Sequence, residues 1–145
     1  MQNMWYYIPV IITDEIKRKV SEVARRHDLS CVALFGSRAT GKTHAGSDTD
    51  IAFMADREID YSLQAQIRSD LSSALDIDDI ELVNMSLVSP LLMRQISEKG
   101  KLLYERHAGT FIRFKVLSFK LYVETAPLRR LRERYLANFI KAHAY

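Results

Sequence analysis

Apolar residues recur along this chain in two rhythms, and the switches between them lay out the elements. Across 14 to about 27, Ile16, Val20, Val23 and Ala24 keep the three-to-four spacing of one helix face, with Asp14 placed to cap its start. Residues 30–35 are a short, partly β-branched apolar run and read as a first strand. Gly36-Ser37 turns the chain into a short helical stretch, a polar glycine-containing loop fills 41–47, and 48–54 read as a second strand. Asp60 caps a helix over 61–75 with Leu63, Ile67, Leu71 and Ala74 on one face, and 79–85 form a third strand. Ser89-Pro90 starts a helix, because Ser accepts a first-turn hydrogen bond and Pro needs no partner there. It runs to Lys99 and stops at Gly100. A short fourth strand follows at 101–104. From 108 onward the pattern is helical, with Phe111, Phe114, Leu117, Leu121 and Tyr122 as its apolar positions and Pro127 expected to kink or divide it. The order predicts an α/β (α+β) fold in one domain. A small mixed sheet flanked by helices occupies about 14–106, and a helical C-terminal tail occupies about 108–145.

Composition narrows the class. The 145 residues are 48% hydrophobic and 27% charged, which suits a globular domain with a core of its own. Cys31 is the only cysteine, so a disulfide framework and a multi-cysteine zinc site are excluded. It reads as a packing residue in a reducing cytoplasm. The apolar opening MQNMWYYIPVII lacks a basic leader and is broken by Pro9, so it reads neither as a signal peptide nor as a membrane span. Its Trp5-Tyr6-Tyr7 run reads as core or interface. His27, His44, His107 and His143 are far apart and lack ligand spacing.

The net charge of +3 hides an asymmetry. Residues 1–100 carry 11 Lys and Arg against 15 Asp and Glu, a net −4, while 101–145 carry 10 against 3, a net +7. A basic tail suits an acidic protein partner or a polyanion, and equally a solvated helix face.

The chemistry concentrates in LFGSRATGKTHAGSDTDIAF, residues 34–53. Gly36 permits a tight turn and lets a phosphate approach the backbone. Ser37, Arg38 and Ala39 offer N–H groups at a helix start, where anions are favoured. Arg38 and Lys42 read equally well as phosphate ligands and as exposed basic neighbours of the turn. Alternation along a strand puts Asp48 and Asp50 on one face, with Thr49 and Ile51 on the other. Two carboxylates so close repel unless a cation lies between them, and magnesium prefers carboxylate oxygens together with substrate phosphates. A third carboxylate is wanted for two-metal transfer, and Glu81 in the next strand is favoured over Asp78 and Asp79, which sit at the strand's start.

These residues resemble the minimal nucleotidyltransferases of the DNA-polymerase-beta-like superfamily. More narrowly, they resemble the MntA-type antitoxins encoded beside HEPN-domain toxins. The likeness lies in Gly36-Ser37-Arg38-Ala39, in Gly41, in Asp48-x-Asp50, in IELVNM at 80–85 and in SPLLMRQISEKGKLLYER at 89–106. It implies Mg2+-dependent transfer of AMP from ATP to a tyrosine hydroxyl of a partner HEPN toxin, an RNase. Gly36 and Ser37 would hold the triphosphate, and Asp48 and Asp50 the metals. Glu81 stands where the family usually has an aspartate, and Asn84 where a second acidic residue is frequent. Two other readings remain at this point. One is an antitoxin that acts by binding and occlusion alone. The other is transfer to a small molecule or an RNA end, which usually requires a further substrate-binding domain.

Overall fold

The computed structural model describes residues 11–40 and 48–144, leaving Trp5-Tyr6-Tyr7, Gly41, Lys42 and His44 outside the described residues. Helix α1 (Asp14–Arg26) is capped by Thr13, whose hydroxyl accepts from the Ile16 N–H at 3.2 Å. The cap is thus one residue earlier than expected. Asp14 lies inside the first turn, where with Glu15 it complements the positive end of the helix. Its buried face is Ile16, Val20, Val23 and Ala24, as the spacing predicts.

Strand β1 (Leu29–Phe35) leads through α2 (Gly36–Thr40) to β2 (Thr49–Ala55), α3 (Tyr61–Leu75), β3 (Ile80–Asn84), α4 (Pro90–Lys99) and β4 (Lys101–Glu105). Asp60 caps α3 by accepting from the Leu63 N–H at 2.7 Å, and Ser89 caps α4 by accepting from the Leu92 N–H at 3.3 Å. The sheet order is β3-β2-β1-β4. Strand β1 runs antiparallel to both neighbours, and β2 runs parallel to β3.

Being central, β1 is covered on both faces, which is why it reads as an unbroken apolar run rather than an alternating one. Leu29, Val32 and Leu34 join the core beneath α1 and α3, while Cys31, Ala33 and Phe35 join the core beneath α4 and α5. Cys31 is fully buried. Burial pushes its thiol up to about 12, with the nearby Glu105 carboxylate adding to the effect.

The tail is two helices, α5 (Thr110–Glu124) and α6 (Ala126–His143). Thr125 breaks the run at φ −90°, ψ 0°. Pro127 falls in the first turn of α6, where its missing N–H costs nothing, so the proline divides the tail rather than kinking it. The inward face of α5 is Phe111, Phe114 and Ser118, with Leu121 packed alongside. Leu117, another of the apolar positions at helical spacing, is 48% exposed. One step of about 100° carries it off the stripe, and Ser118 takes the buried place, its hydroxyl donating to Ser97 on α4 at 3.3 Å. Among the described residues no helix is long and apolar enough to cross a membrane.

Candidate active site

The sheet brings the acidic residues together through strand register. In the antiparallel pair Phe35 faces Asp50, so the end of β1 and its glycine bend lie beside that carboxylate. In the parallel pair Asp50 faces Glu81 directly. Thr49 and Ile51 point the other way and are 1% exposed, while Asp50 is half-buried and Glu81 open to solvent. Asp48 immediately precedes β2 and is exposed.

Gly36 occupies the left-handed region at φ +75°, where a side chain is strained. A Cβ there would collide with Asp50, reaching 2.8 Å from its Cγ and closer still to Oδ2. The bend therefore has room for backbone and a carboxylate, and for nothing bulkier. Ser37 follows it at the cleft edge, and Arg38 is buried.

Electrostatics mark the spot as crowded with carboxylates. Burial, then repulsion from Glu81, a hydrogen bond with the Glu81 carboxyl and repulsion from Asp48 together push Asp50 up to about 6, against a counter-pull from the Arg38 guanidinium. Two carboxyl groups can share a hydrogen bond only if a proton sits between them, and a bridging cation is the alternative. The donors are all hard oxygens, the kind that magnesium takes and zinc does not prefer. Among the described residues no three His, Cys, Asp or Glu side chains are gathered tightly enough to hold a metal by themselves.

Two clefts meet at Glu81. One, of about 450 Å3, has Asp50 and Glu81 at its floor beside Gly36 and Ser37. Its apolar wall is Phe35, Val83 and Leu92, and Gln95 and Lys99 reach in from α4. The other, of about 590 Å3, runs along α3 past Asp48, Asp78, Asp79, Arg68 and Ser69. Asp78 and Asp79 lie in this second cleft. The Asp79 carbonyl accepts from the Thr49 N–H at 2.9 Å, which pins the start of β3 to β2 and leaves Glu81, two residues on, opposite Asp50.

Gln95 and Lys99 are additions that the sequence pattern did not single out. Their spacing of four on α4 places them on one face, but nothing local tells which face looks onto the β1–α2 bend. Lys42 belongs to the 41–47 loop and lies outside the described residues. The structure thus gathers Gly36, Ser37, Asp50 and Glu81 in one cleft and sets Asp48 beside Glu81 in the next.

Comparison with known proteins identifies the family. The family model described as polymerase beta, nucleotidyltransferase matches residues 18–108. A protein adenylyltransferase MntA of Aphanizomenon flos-aquae is 30% identical over 123 residues, covering 78% of this chain and 81% of the relative. A protein adenylyltransferase MntA of Shewanella oneidensis is 37% identical over 76 residues, covering 52% of this chain and 54% of its own length. Among solved structures, a toxin–antitoxin crystal structure with AMP-PNP superposes with a TM-score of 0.70 at 28% identity, covering 86% of this chain and 98% of that one. A complex of tri-AMPylated Shewanella oneidensis HEPN toxin with its MNT antitoxin matches at TM-score 0.66 and 25% identity, covering 86% and 96%. With the family model spanning residues 18–108 and an MntA adenylyltransferase 30% identical over 78% of the chain, the chain belongs to the polymerase beta nucleotidyltransferase family, alongside the MntA adenylyltransferases.

Proposed function

We propose that this protein is an antitoxin that neutralises a HEPN-family RNase toxin by transferring AMP from ATP to a toxin tyrosine hydroxyl. The observation that carries the reading is the facing of Asp50 and Glu81 across β2–β3, at the foot of a bend too tight for any residue but glycine. Support comes from the relatives: two are named protein adenylyltransferases, one solved complex holds AMP-PNP, and another holds a tri-AMPylated toxin.

In this reading Asp48, Asp50 and Glu81 hold Mg2+, which when bound neutralises the triphosphate and stabilises charge developing on its oxygens. The Gly36–Ser37 backbone at the start of α2 cradles the phosphates, and Lys99 supplies a point charge from the far wall. Phe35, Val83 and Leu92 offer the apolar side against which a nucleoside lies, with Gln95 as a hydrogen-bonding partner. The acceptor oxygen attacks the α-phosphorus, the bond to the β-phosphate oxygen breaks, and pyrophosphate leaves. Glu81 takes the hydroxyl proton, its extra methylene relative to aspartate extending it toward the open side of the site. Most of the acceleration comes from alignment and preset charge rather than covalent participation by the protein.

Labelled ATP tests the class of transfer. Incubated with the toxin and Mg2+, the protein should pass label from the α-phosphate, and none from the γ-phosphate, onto the toxin. Transfer from the γ position would make it a kinase. A toxin silenced without label from either position would make it an antitoxin by occlusion alone.

A further inference from the structure

Helix α5 is apolar on two opposite sides. Phe111, Phe114, Ser118 and Leu121 face the sheet, while Ile112, Val116, Phe119 and Val123, at i, i+4, i+7 and i+11, form a second stripe that faces solvent. Helix α6 buries none of its side chains, yet Leu128, Leu131, Tyr135 and Phe139 make a stripe of the same kind, with Leu136 and Ile140 beside it. Of the fifteen large apolar side chains exposed among the described residues, eleven are on these two helices. Together they present on the order of 1,000 Å2 of apolar surface. A monomer usually exposes patches of a few hundred, and a stable interface uses roughly 800 per partner.

The surface is also held in place. The Arg129 guanidinium stacks 3.7 Å from the Tyr122 ring centre, with Arg94 of α4 at 4.0 Å from the same centre. Arg129 further donates to the Tyr122 carbonyl and to the Thr125 hydroxyl, each at 2.6 Å. These contacts fix the direction in which α6 leaves α5, so the surface is preorganised and little ordering entropy is lost when it is covered.

Charge selects the occupant. Helix α6 carries Arg129, Arg130, Arg132, Arg134 and Lys141 against Glu133. Pairing two such helices from two copies of this chain would set like charges against each other. A partner with an apolar helical ridge flanked by acidic side chains would match both the stripe and its border. We propose that the outer stripe of α5 and the apolar side of α6 are the docking surface for the toxin, a partner of that chemistry, and that acceptor delivery depends on it. The inference rests on the proposed antitoxin reading for the partner's identity, but not on the active site.

Two pairs of substitutions test it in the full chain: Leu131→Glu with Tyr135→Glu on α6, and Val116→Glu with Phe119→Glu on α5. Neither pair touches the core or the nucleotide cleft, so circular dichroism and binding of an ATP analogue should match wild type. Toxin affinity should fall by about 100-fold or more. AMP transfer should fall through KM for the toxin, with kcat retained at saturating toxin. Arg130→Glu with Arg134→Glu should weaken binding and flatten its salt dependence.

Toxin binding within about threefold of wild type in the glutamate variants would overturn the docking surface. So would a dimer of this chain alone that the same substitutions dissociate, or an RNA ligand that competes with the toxin for α6. A wild-type chain that binds the toxin through these helices but transfers no AMP would instead leave the docking surface standing and remove the enzymatic reading.

Discussion

Replacing Asp50 with asparagine should make the metal-free protein more stable while destroying its activity. In the folded state the Asp50 carboxyl is pushed from its ordinary 3.8 to about 6, first by burial and then by Glu81 and Asp48. A carboxyl that holds its proton more tightly when folded stabilises the fold at low pH. That contribution is lost as pH rises through about 4 to 6 and is absent at neutrality. Fully unscreened, the displacement is worth about 3 kcal/mol at about 1.4 kcal/mol per tenfold change in proton affinity. Partial solvent access reduces this to on the order of 1–2 kcal/mol. Asparagine carries no charge at either pH and can still donate a hydrogen bond to Glu81. In urea unfolding with chelator present, Asp50→Asn should therefore exceed wild type by on the order of 1–2 kcal/mol near pH 7.5 and match it near pH 4. Adding Mg2+ and ATP should narrow or reverse the gap, because only the wild type gains the full stabilisation of ligand binding. An Asp50→Asn protein that is no more stable at neutral pH, or an advantage that does not change with pH, would refute the claim that like charges crowd this site.

Gly36→Ala forces a side chain into the left-handed region and against Asp50, so it should cost about 1–3 kcal/mol in thermal or urea unfolding and at least about 100-fold in transfer rate. Thr49→Val removes a buried hydroxyl that has no hydrogen-bond partner among the described residues. It should add about 1 kcal/mol to stability by denaturant titration and leave transfer intact. Asp70 accepts from His27 Nε2 at 2.6 Å and pairs with Arg26 at 3.3 Å, and His27 chiefly holds its carboxyl below the usual range. Its stabilising effect should be present above about pH 4 and lost as pH falls further. Asp70→Asn should therefore cost on the order of 1 kcal/mol at neutral pH, with the two denaturation curves converging in acid.

Much of this architecture is legible in the sequence because the relevant physics is local. Asp60 and Ser89-Pro90 announce their helices through caps, and Ile16-Val20-Val23 through spacing. Gly36 and Asp48-x-Asp50 single out the candidate site through the conformational freedom of one residue and the period of a strand, although Asp48 falls just before β2 rather than within it. Register then places Glu81 against Asp50, and the assignment of Glu81 over Asp79 turns on a two-residue offset that alternation alone could suggest but not fix.

What stayed hidden depends on tertiary packing. Gln95 and Lys99 come to the cleft because α4 crosses the sheet face bearing Cys31, Ala33 and Phe35, and nothing within α4 records that crossing. Thr13 and Asp14 are both acceptable caps, and only the backbone shows which of them precedes the first turn. Leu117 and Ser118 are a related case. With α5 apolar on opposite sides, periodicity cannot say which stripe meets the sheet, and hydrophobicity alone does not mark Ser118 as the buried residue of the two.

Intact-mass analysis of the toxin after incubation with ATP and Mg2+ tests the central claim most directly, with wild-type protein compared against Asp50→Asn and Glu81→Gln. The account predicts whole AMP increments with wild type, none with Asp50→Asn, and a rate lowered by about 100-fold or more with Glu81→Gln. AMP increments appearing at the wild-type rate in either variant would contradict it, since catalysis would then not depend on the carboxylates facing each other across β2 and β3.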